Sequence, residues 1–286
     1  MKEELSVLIP TYNFNCSDLV FSVHGLLKQL TIPYEIIVVD DGSTDEKIVN
    51  QNRAIEKLQN VKYIVRKENV GRACIRNFLA QQAQYKWLLF LDADVTIDRS
   101  RFILKYLEQP YDVILGGIIV VRRVKKLENN LRYLVESKYM ESSTTAKRLQ
   151  KEAKEFHTAN FLVKKDIILK VPFNENFKHY GYEDVLFGKE LNDNGYHIHH
   201  INNPVTLIDF ETNERFVEKT EESLRTLHEF KDKLKGYSSL LKVAWLKPLL
   251  KPFYYIIGKP IRKNLAGNNP KLSLFNIYKL LYYCSL

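Results

Sequence analysis

Five apolar residues followed by two carboxylates form the stretch that decides the fold, Trp87-Leu88-Leu89-Phe90-Leu91-Asp92-Ala93-Asp94-Val95. An unbroken apolar run of this length is typical of a strand buried on both faces of a parallel sheet. Because a buried, unpaired carboxylate is costly, Asp92 and Asp94 belong at the end of that strand, where open α/β sheets bind ligands. The Asp-x-Asp pair suits Mg²⁺ or Mn²⁺ shared with a substrate diphosphate, although an Asp-rich turn gives the same pattern.

The residues around this stretch alternate between strand-like and helix-like segments. Apolar runs at 5–9, 35–39, 61–65 and 87–91 predict strands, and the segments between them have helical spacing. This alternation predicts an α/β fold with a parallel sheet and right-handed crossovers. The sequence has neither a glycine-rich dinucleotide loop nor a Walker-type phosphate loop.

The second half of the chain gives weaker signals. Residues 125–155 are charged and predict a helix or a mobile surface segment. The other predicted elements are a strand over 113–121 with a tight approach or a bulge at its two glycines, a strand at 160–163, a helix over 183–195 with two acids in its first turn, two short strands within 197–207 and a charged amphipathic helix over 213–234.

Charge and composition divide the 286 residues into two parts. The net charge is +9, and residues 236–286 contain eight Lys and Arg but no Asp or Glu, so the excess lies almost wholly in that tail. We therefore expect one domain over 1–235 and a basic, aromatic-rich C-terminal segment over 236–286. The three cysteines are widely spaced, which favours a reduced protein. A strand that starts near the first residue leaves no room for a signal peptide, and no apolar run has transmembrane length. We therefore expect a cytoplasmic protein.

The tail mixes its lysines with aromatic and aliphatic residues and is divided by prolines. A basic amphipathic segment of this kind predicts a membrane-surface element that binds anionic lipid. Nucleic acid is the other partner for such a basic patch, but no nucleic-acid motif accompanies it, so we expect none. The remaining interpretation is that the apolar residues of the tail pack on the first domain.

Five short motifs follow one another along residues 5–235, namely Ile9-Pro10-Thr11-Tyr12-Asn13, Val39-Asp40-Asp41-Gly42-Ser43-Thr44-Asp45, Asn69-x-Gly71 leading to Arg76-Asn77, Leu91-Asp92-Ala93-Asp94, and Gly181-x-Glu183-Asp184 with Phe187-Gly188. In this order they resemble the motifs of family 2 glycosyltransferases, inverting enzymes of bacterial polysaccharide and glycolipid synthesis. The resemblance implies the GT-A fold, a Rossmann-like α/β fold of enzymes that transfer sugars from nucleotide-diphospho-sugars. In this chain the fold would be followed by a basic amphipathic C-terminal extension.

The resemblance assigns the donor nucleotide to the first motifs. Pro10, Tyr12 and Asp41 would hold the base, since a carboxylate accepts the imide N–H of uracil and a tyrosine ring stacks on it. Arg72 and Arg76 lie one helical turn apart, and either one would face the diphosphate or make a structural pair instead.

The remaining motifs carry the metal and the acceptor. Asp94 would be the direct ligand of Mn²⁺ or Mg²⁺, and Asp92 would serve both the metal and the nucleotide. Asp184 would be the general base that accepts the proton of the acceptor hydroxyl, with Glu183 supporting it or orienting the acceptor. Many similar enzymes have a histidine metal ligand where this sequence has Leu207. Either Asp209 would replace that histidine, or Asp94 and the substrate alone would bind the metal.

Together these features predict an enzyme that moves a sugar from a nucleotide sugar, of the UDP class, onto a glycan or lipid-linked glycan acceptor with inversion. We expect it in the cytoplasm, peripheral on the inner face of the cell membrane. The alternative is a catalytically silent nucleotide-binding or scaffold paralogue of the same fold. A nucleotidyltransferase on a similar sheet is a third interpretation, but it would need a basic, glycine-rich loop after the first strand.

Overall fold

A computed structural model describes residues 1–142, 147–148 and 156–286. Its main sheet has seven strands in the order β3-β2-β1-β4-β8-β6-β9. The strands are β1 (Leu5–Thr11), β2 (Tyr34–Asp40), β3 (Val61–Val65), β4 (Trp87–Leu91), β6 (Val113–Leu115), β8 (Asn160–Lys164) and β9 (His199–His200). β1 to β4 are parallel to one another, whereas β8 runs antiparallel to both of its neighbours. The predicted α/β fold with a parallel four-stranded core is confirmed.

Helices cover both faces of this sheet and connect its strands. They are α1 (Ser17–Leu27), α2 (Glu46–Asn52), α3 (Arg72–Gln82), α4 (Phe102–Leu107), α5 (Leu131–Ser142), α6 (Lys165–Lys170) and α7 (Glu183–Asp193). Consecutive residues of β1 pack into different cores, because Val7 joins the core with α1 and Leu8 joins the core with α3. The strands are buried on both faces, and this explains why their sequences are unbroken apolar runs.

The segment 113–121, predicted as one bulged strand, is two strands in different sheets. β6 belongs to the main sheet, whereas β7 (Ile118–Ile119) pairs with β10 (Val205–Leu207), which also pairs with β5 (Val95–Thr96). Gly117 between them has φ +100°, a left-handed conformation that ends β6 and turns the chain. The prediction of a single strand was therefore wrong.

The charged segment 125–155 is largely helical where the structure describes it, with a 3₁₀ turn at Lys125–Leu127 and non-helical residues at 128–130. α5 covers Leu131–Ser142, and residues 143–146 and 149–155 lie outside the described residues. Residues 160–164, 183–193 and 213–229 form β8, α7 and α8 (Asn213–Glu229), and the short strands predicted within 197–207 are β9 and β10.

The tail forms a series of short helices against α8. They are α9 (Ser239–Lys242), a 3₁₀ turn (Ala244–Leu246), α10 (Lys247–Phe253), a π-helical turn (Tyr254–Gly258), α11 (Lys259–Ala266) and α12 (Leu272–Ser285). One side of this series is buried, with Ile261, Leu265 and Tyr278 in a cluster that includes Leu131 and Val217 of the first part of the chain. Among the described helices, none is both long and apolar enough to cross a bilayer.

Candidate active site

A cleft of about 560 Å³ lies at the carboxyl ends of β1, β2 and β4. This is the position where open α/β sheets bind ligands. Eight of the nine predicted site residues line it, namely Pro10, Tyr12, Asp41, Arg72, Arg76, Asp92, Asp94 and Asp184. The ninth, Glu183, is 4% exposed and lies next to the cleft without lining it. The structure thus brings residues from both halves of the chain into one cavity.

The nucleotide motif fixes Asp41 through the backbone of the following loop. Its Oδ1 accepts a hydrogen bond from the Val70 N–H at 3.1 Å, and its Oδ2 accepts one from the Gly71 N–H at 3.0 Å. Burial raises the pKa of Asp41, and these two hydrogen bonds oppose that rise. Tyr12 differs from this buried carboxylate because 46% of it is exposed at the mouth of the cleft, where a flat ligand ring can reach it.

Arg76 joins the metal motif to the acceptor motif. Its Nη2 lies 2.7 Å from Oδ1 of Asp92, and its Nη1 lies 3.8 Å from Oε1 of Glu183. The Nη1 group also donates to the carbonyl oxygen of Arg72 at 3.2 Å. Arg76 is buried, so its positive charge is compensated by carboxylates of the protein itself.

Arg72 has a different environment although it is only one helical turn away. Its side chain is exposed in the cleft, and its Cζ lies 4.7 Å from the ring centroid of Tyr180. The sequence left open which arginine faces a diphosphate. The structure places Arg76 in a buried carboxylate network and leaves Arg72 accessible to a ligand.

Asp94 has an arginine neighbour that no sequence motif indicated. Nη2 of Arg132, on α5, lies 3.5 Å from Oδ2 of Asp94, and its Nη1 lies 2.5 Å from Oε2 of Glu211. Lys219 reaches the other oxygen of Glu211 at 3.1 Å. Arg132 was missed because it lies in the charged segment predicted as surface and has no local signature.

The two acids of the Asp-x-Asp pair differ electrostatically. Burial alone would raise the pKa of Asp92, but Arg76 and Arg72 outweigh burial and hold it below its usual value. Burial and the charge of Asp92 raise the pKa of Asp94, and Arg132 only partly offsets this. Asp92 is therefore the more firmly ionised acid.

The chemistry of the donor set fits a hard divalent cation. Asp94 lines the cleft beside Asp92, and Mg²⁺ sites in proteins commonly use one or two carboxylates together with substrate phosphates. Leu207 pairs with Val95, next to Asp94, and Asp209 also lines the cleft. Among the described residues, no group of three or more His, Cys, Asp or Glu could hold a metal alone. Substrate oxygens would therefore have to complete the coordination.

Asp184 stands in the first turn of α7, after a strained entry. Gly181 and Tyr182 both have positive φ, +99° and +67°, and the helix begins at Glu183. Oδ1 of Asp184 accepts a hydrogen bond from the Val185 N–H at 2.7 Å. Burial, followed by the charge of Glu183, raises the pKa of Asp184 to about 7. A carboxylate with this pKa can accept a proton near neutral pH.

The side of the cleft near Asp184 is formed by residues that the sequence did not single out. They are Lys178, His179 and Tyr180 before α7, and Arg215, Lys219 and Glu222 on α8. His199 lies elsewhere and stacks on Tyr111, with 3.5 Å between the ring centroids. His197 and His200 do not line the cleft either.

Comparison of the sequence with known proteins identifies relatives. The family model for glycosyl transferase family 2 matches residues 6–171. An uncharacterized glycosyltransferase of Haemophilus influenzae is 28% identical over 183 residues, which is 62% of this chain and 68% of that protein. A poly(ribitol-phosphate) beta-glucosyltransferase of Bacillus spizizenii is 34% identical over 122 residues, 40% of this chain but 19% of its own length. The Escherichia coli chondroitin synthase is 40% identical over 95 residues, 32% of this chain and 13% of that protein.

Two solved structures have a similar fold. A mannosyltransferase of Pyrobaculum calidifontis, in complex with GDP-Man and Mn²⁺, matches 99% of this chain and 85% of its own, with a TM-score of 0.57 and 16% identity. Residues 1–349 of S. aureus TarS, in complex with UDP-GlcNAc, match 99% of this chain and 90% of that one, with a TM-score of 0.52 and 18% identity. At these identities the likeness concerns the fold, which is the GT-A fold that the motifs predicted.

Proposed function

The chain belongs to glycosyl transferase family 2, and from this premise we propose that it transfers one sugar from a nucleotide sugar, of the UDP class, to a hydroxyl group of a glycan or lipid-linked glycan, with inversion at the anomeric carbon. One observation carries the proposal. A single cleft is lined by the Asp-x-Asp pair of the donor motif and by Asp184, a carboxylate whose pKa is raised to about 7.

The donor half of the cleft would bind the nucleotide diphosphate. Tyr12 presents an exposed ring for stacking on the base, beside Pro10. Asp41 is held by two backbone N–H groups, and its remaining lone pairs would accept a base N–H. Arg72 is the accessible guanidinium for the phosphates, while Arg76 keeps Asp92 in place.

Asp94, with Asp92, would hold a divalent cation such as Mn²⁺ or Mg²⁺. When bound, such an ion neutralises charge that develops on the leaving nucleoside diphosphate. The Pyrobaculum mannosyltransferase in complex with Mn²⁺ supports the use of a divalent cation.

Asp184 would accept the proton of the acceptor hydroxyl as that oxygen attacks the anomeric carbon. The new C–O bond forms as the bond to the diphosphate breaks on the opposite face, so one displacement inverts the configuration and a single base suffices. Glu183 would act indirectly, because its charge helps to raise the pKa of Asp184.

The acceptor class is supported by the relatives. By their names, the Bacillus spizizenii relative acts on poly(ribitol-phosphate) and the Escherichia coli relative makes chondroitin, both of them polymers. These names support the glycan class of the acceptor that we propose, a glycan or lipid-linked glycan.

The test is release of nucleoside diphosphate from a panel of nucleotide sugars, with Mn²⁺ and with EDTA. We expect metal-dependent turnover of one donor, abolished in Asp94→Ala and in Asp184→Asn. Asp184→Asn should still bind that donor, because Asp184 does not contact the nucleotide in the proposed arrangement. A silent paralogue would bind donor without turnover, with or without added glycan acceptors, and would contradict the proposal.

A further inference from the structure

Seven large hydrophobic side chains of the tail are exposed, of which two are Tyr255 and Ile277 and the other five share one side of a helical run. Trp245, Leu249, Phe253, Ile256 and Ile257, here called the tail face, are between 39% and 76% exposed. Their spacing of four, four, three and one residues places them along one side of a helical run. This run extends from the 3₁₀ turn at Ala244 to the end of α11.

The opposite side of the same run already holds the tail on the protein. Leu250, Tyr254, Ile261 and Leu265 pack in one cluster with residues of α8 and α12. Packing against the first part of the chain therefore explains the inner side of the run. It does not explain the tail face, which no described part of the chain covers.

Five lysines lie in or next to the helical run that carries the tail face. Lys242, Lys259 and Lys263 are exposed, and Lys247 and Lys251 are partly exposed. Within residues 1–142, 147–148 and 156–286 none of these lysines makes an ion pair, whereas Arg262 is bound to Glu214 at 2.8 Å and to Glu221 at 2.7 Å. The segment 236–286 contains no acidic residue that could neutralise them.

We propose that the tail face docks on the surface of an anionic bilayer, with its apolar side chains in the headgroup region and its lysines against lipid phosphates. Tryptophan and lysine at the edge of an apolar stripe are favoured at membrane interfaces. Lysine is depleted from protein–protein interfaces, so a protein partner fits this composition less well. Binding of nucleic acid would not explain why five apolar side chains are exposed.

The cleft and the tail both contact the helix α8. Arg215, Lys219 and Glu222 of α8 line the cleft, whereas Val217 and Glu221 of the same helix contact the tail. The tail and the cleft thus lie on different sides of one helix, which is about 10 Å wide. The docking itself does not depend on the proposed reaction.

The experiment is co-sedimentation of the full chain with phosphatidylcholine vesicles, with and without phosphatidylglycerol. We expect binding only to the anionic vesicles, weakened by salt. The triple variant Trp245→Ser/Leu249→Ser/Phe253→Ser should bind about ten-fold or more weakly. Lys251→Gln/Lys259→Gln/Lys263→Gln should reduce the preference for phosphatidylglycerol. The matched control is Phe21→Ser/Leu169→Ser, which removes exposed apolar side chains from other surfaces and should bind as the wild type does.

Three results would overturn the proposal. The first is wild-type protein that stays in the supernatant with anionic vesicles, and the second is equal loss of binding in the triple variant and the control. The third is sedimentation velocity that shows an oligomer without lipid, dissociated by the triple variant, which would make the tail face a protein interface. Circular dichroism of every variant verifies folding, and a blue shift of tryptophan emission with vesicles, absent in Trp245→Phe, provides a second readout.

Discussion

The buried guanidinium group of Arg76 and the partly exposed carboxylate of Asp92 form an ion pair, with 2.7 Å between Nη2 and Oδ1. The pair connects α3 to the end of β4, and the same arginine also faces Glu183 at the start of α7. Asp92 therefore has a positive partner before any ligand binds. Its position in the metal motif is set by the protein itself.

Replacing Arg76 should destabilise the fold far more than replacing Arg72. Arg76→Met leaves Asp92 and Glu183 without their buried cation, which costs about 3–5 kcal/mol. Arg72→Gln removes an exposed guanidinium above Tyr180 and should cost about 1 kcal/mol or less. Urea unfolding of both variants measures the difference. Equal loss of stability would show that Arg76 is not the structural member of the pair.

Removing Arg132 should strengthen binding of Mn²⁺ in the absence of donor. The arginine lies 3.5 Å from Asp94, so its charge opposes a second cation at that carboxylate. We expect Arg132→Gln to lower the dissociation constant for Mn²⁺ several-fold in isothermal titration calorimetry.

Lys219→Gln is the matched control for this measurement. It removes a cation from Glu211 but not from Asp94. An unchanged Mn²⁺ affinity in Arg132→Gln, or the same gain in both variants, would argue against a direct effect at Asp94.

The fold could be predicted largely because its central strands are buried on both faces. The apolar runs of β1, β2 and β4 are explained by their position between two cores, and polar residues follow where each strand reaches the ligand edge. The division of 113–121 into two strands could not be predicted in this way. It depends on the left-handed Gly117 and on pairing with β10, almost ninety residues later in the sequence.

Motifs indicated the members of the site but not their partners. The helical spacing put Arg72 and Arg76 on one face, yet only tertiary contacts show that one is buried against Asp92 and the other is open to the cleft. Arg132 meets Glu211 across 79 residues of sequence. A local sequence pattern cannot indicate a contact between residues so far apart in the sequence.

Gly181→Ala should destabilise the entry to α7. A Cβ at this position would lie 2.5 Å from Cβ of Ser223 on α8, and the residue has φ +99°. The backbone conformation and the overlap together should cost about 2–4 kcal/mol, measured by thermal unfolding. The close approach that Gly181 permits here is to α8.

Ser223→Gly should relieve part of this cost. It removes the Cβ that the new methyl group meets, so Gly181→Ala should be less damaging in the Ser223→Gly background. The remaining cost would come from the backbone conformation and from the Cα at position 223, which lies 3.1 Å from the new Cβ. If both backgrounds lose the same stability, the overlap with Ser223 does not contribute.

The rate of sugar transfer should fall below about pH 7. Asp184 must be ionised to accept a proton, and its pKa is about 7, so kcat/KM should fall about ten-fold for each further pH unit below that value. Glu183→Gln removes a negative charge that raises this pKa, which should move the acid limb to lower pH. A limb at the same pH in wild type and Glu183→Gln would show that another group controls it.

Asp184→Asn should make the folded protein more stable at neutral pH while it abolishes transfer. The carboxyl group ionises near its usual pKa of 3.8 in the unfolded chain but only near 7 in the folded protein. As the pH rises through this window the unfolded state releases its proton first, so the wild type loses stability that asparagine, which is always neutral, retains. We expect the variant to be roughly 2–4 kcal/mol more stable above pH 7, with no advantage below about pH 4.

Chemical denaturation of Asp184→Asn and wild type between about pH 4 and pH 8 tests this prediction. Asp193→Asn, which changes an exposed acid at the other end of α7, is the control. A constant difference between Asp184→Asn and wild type at all pH values would contradict the raised pKa, because a group with the same pKa in both states adds no pH dependence to folding.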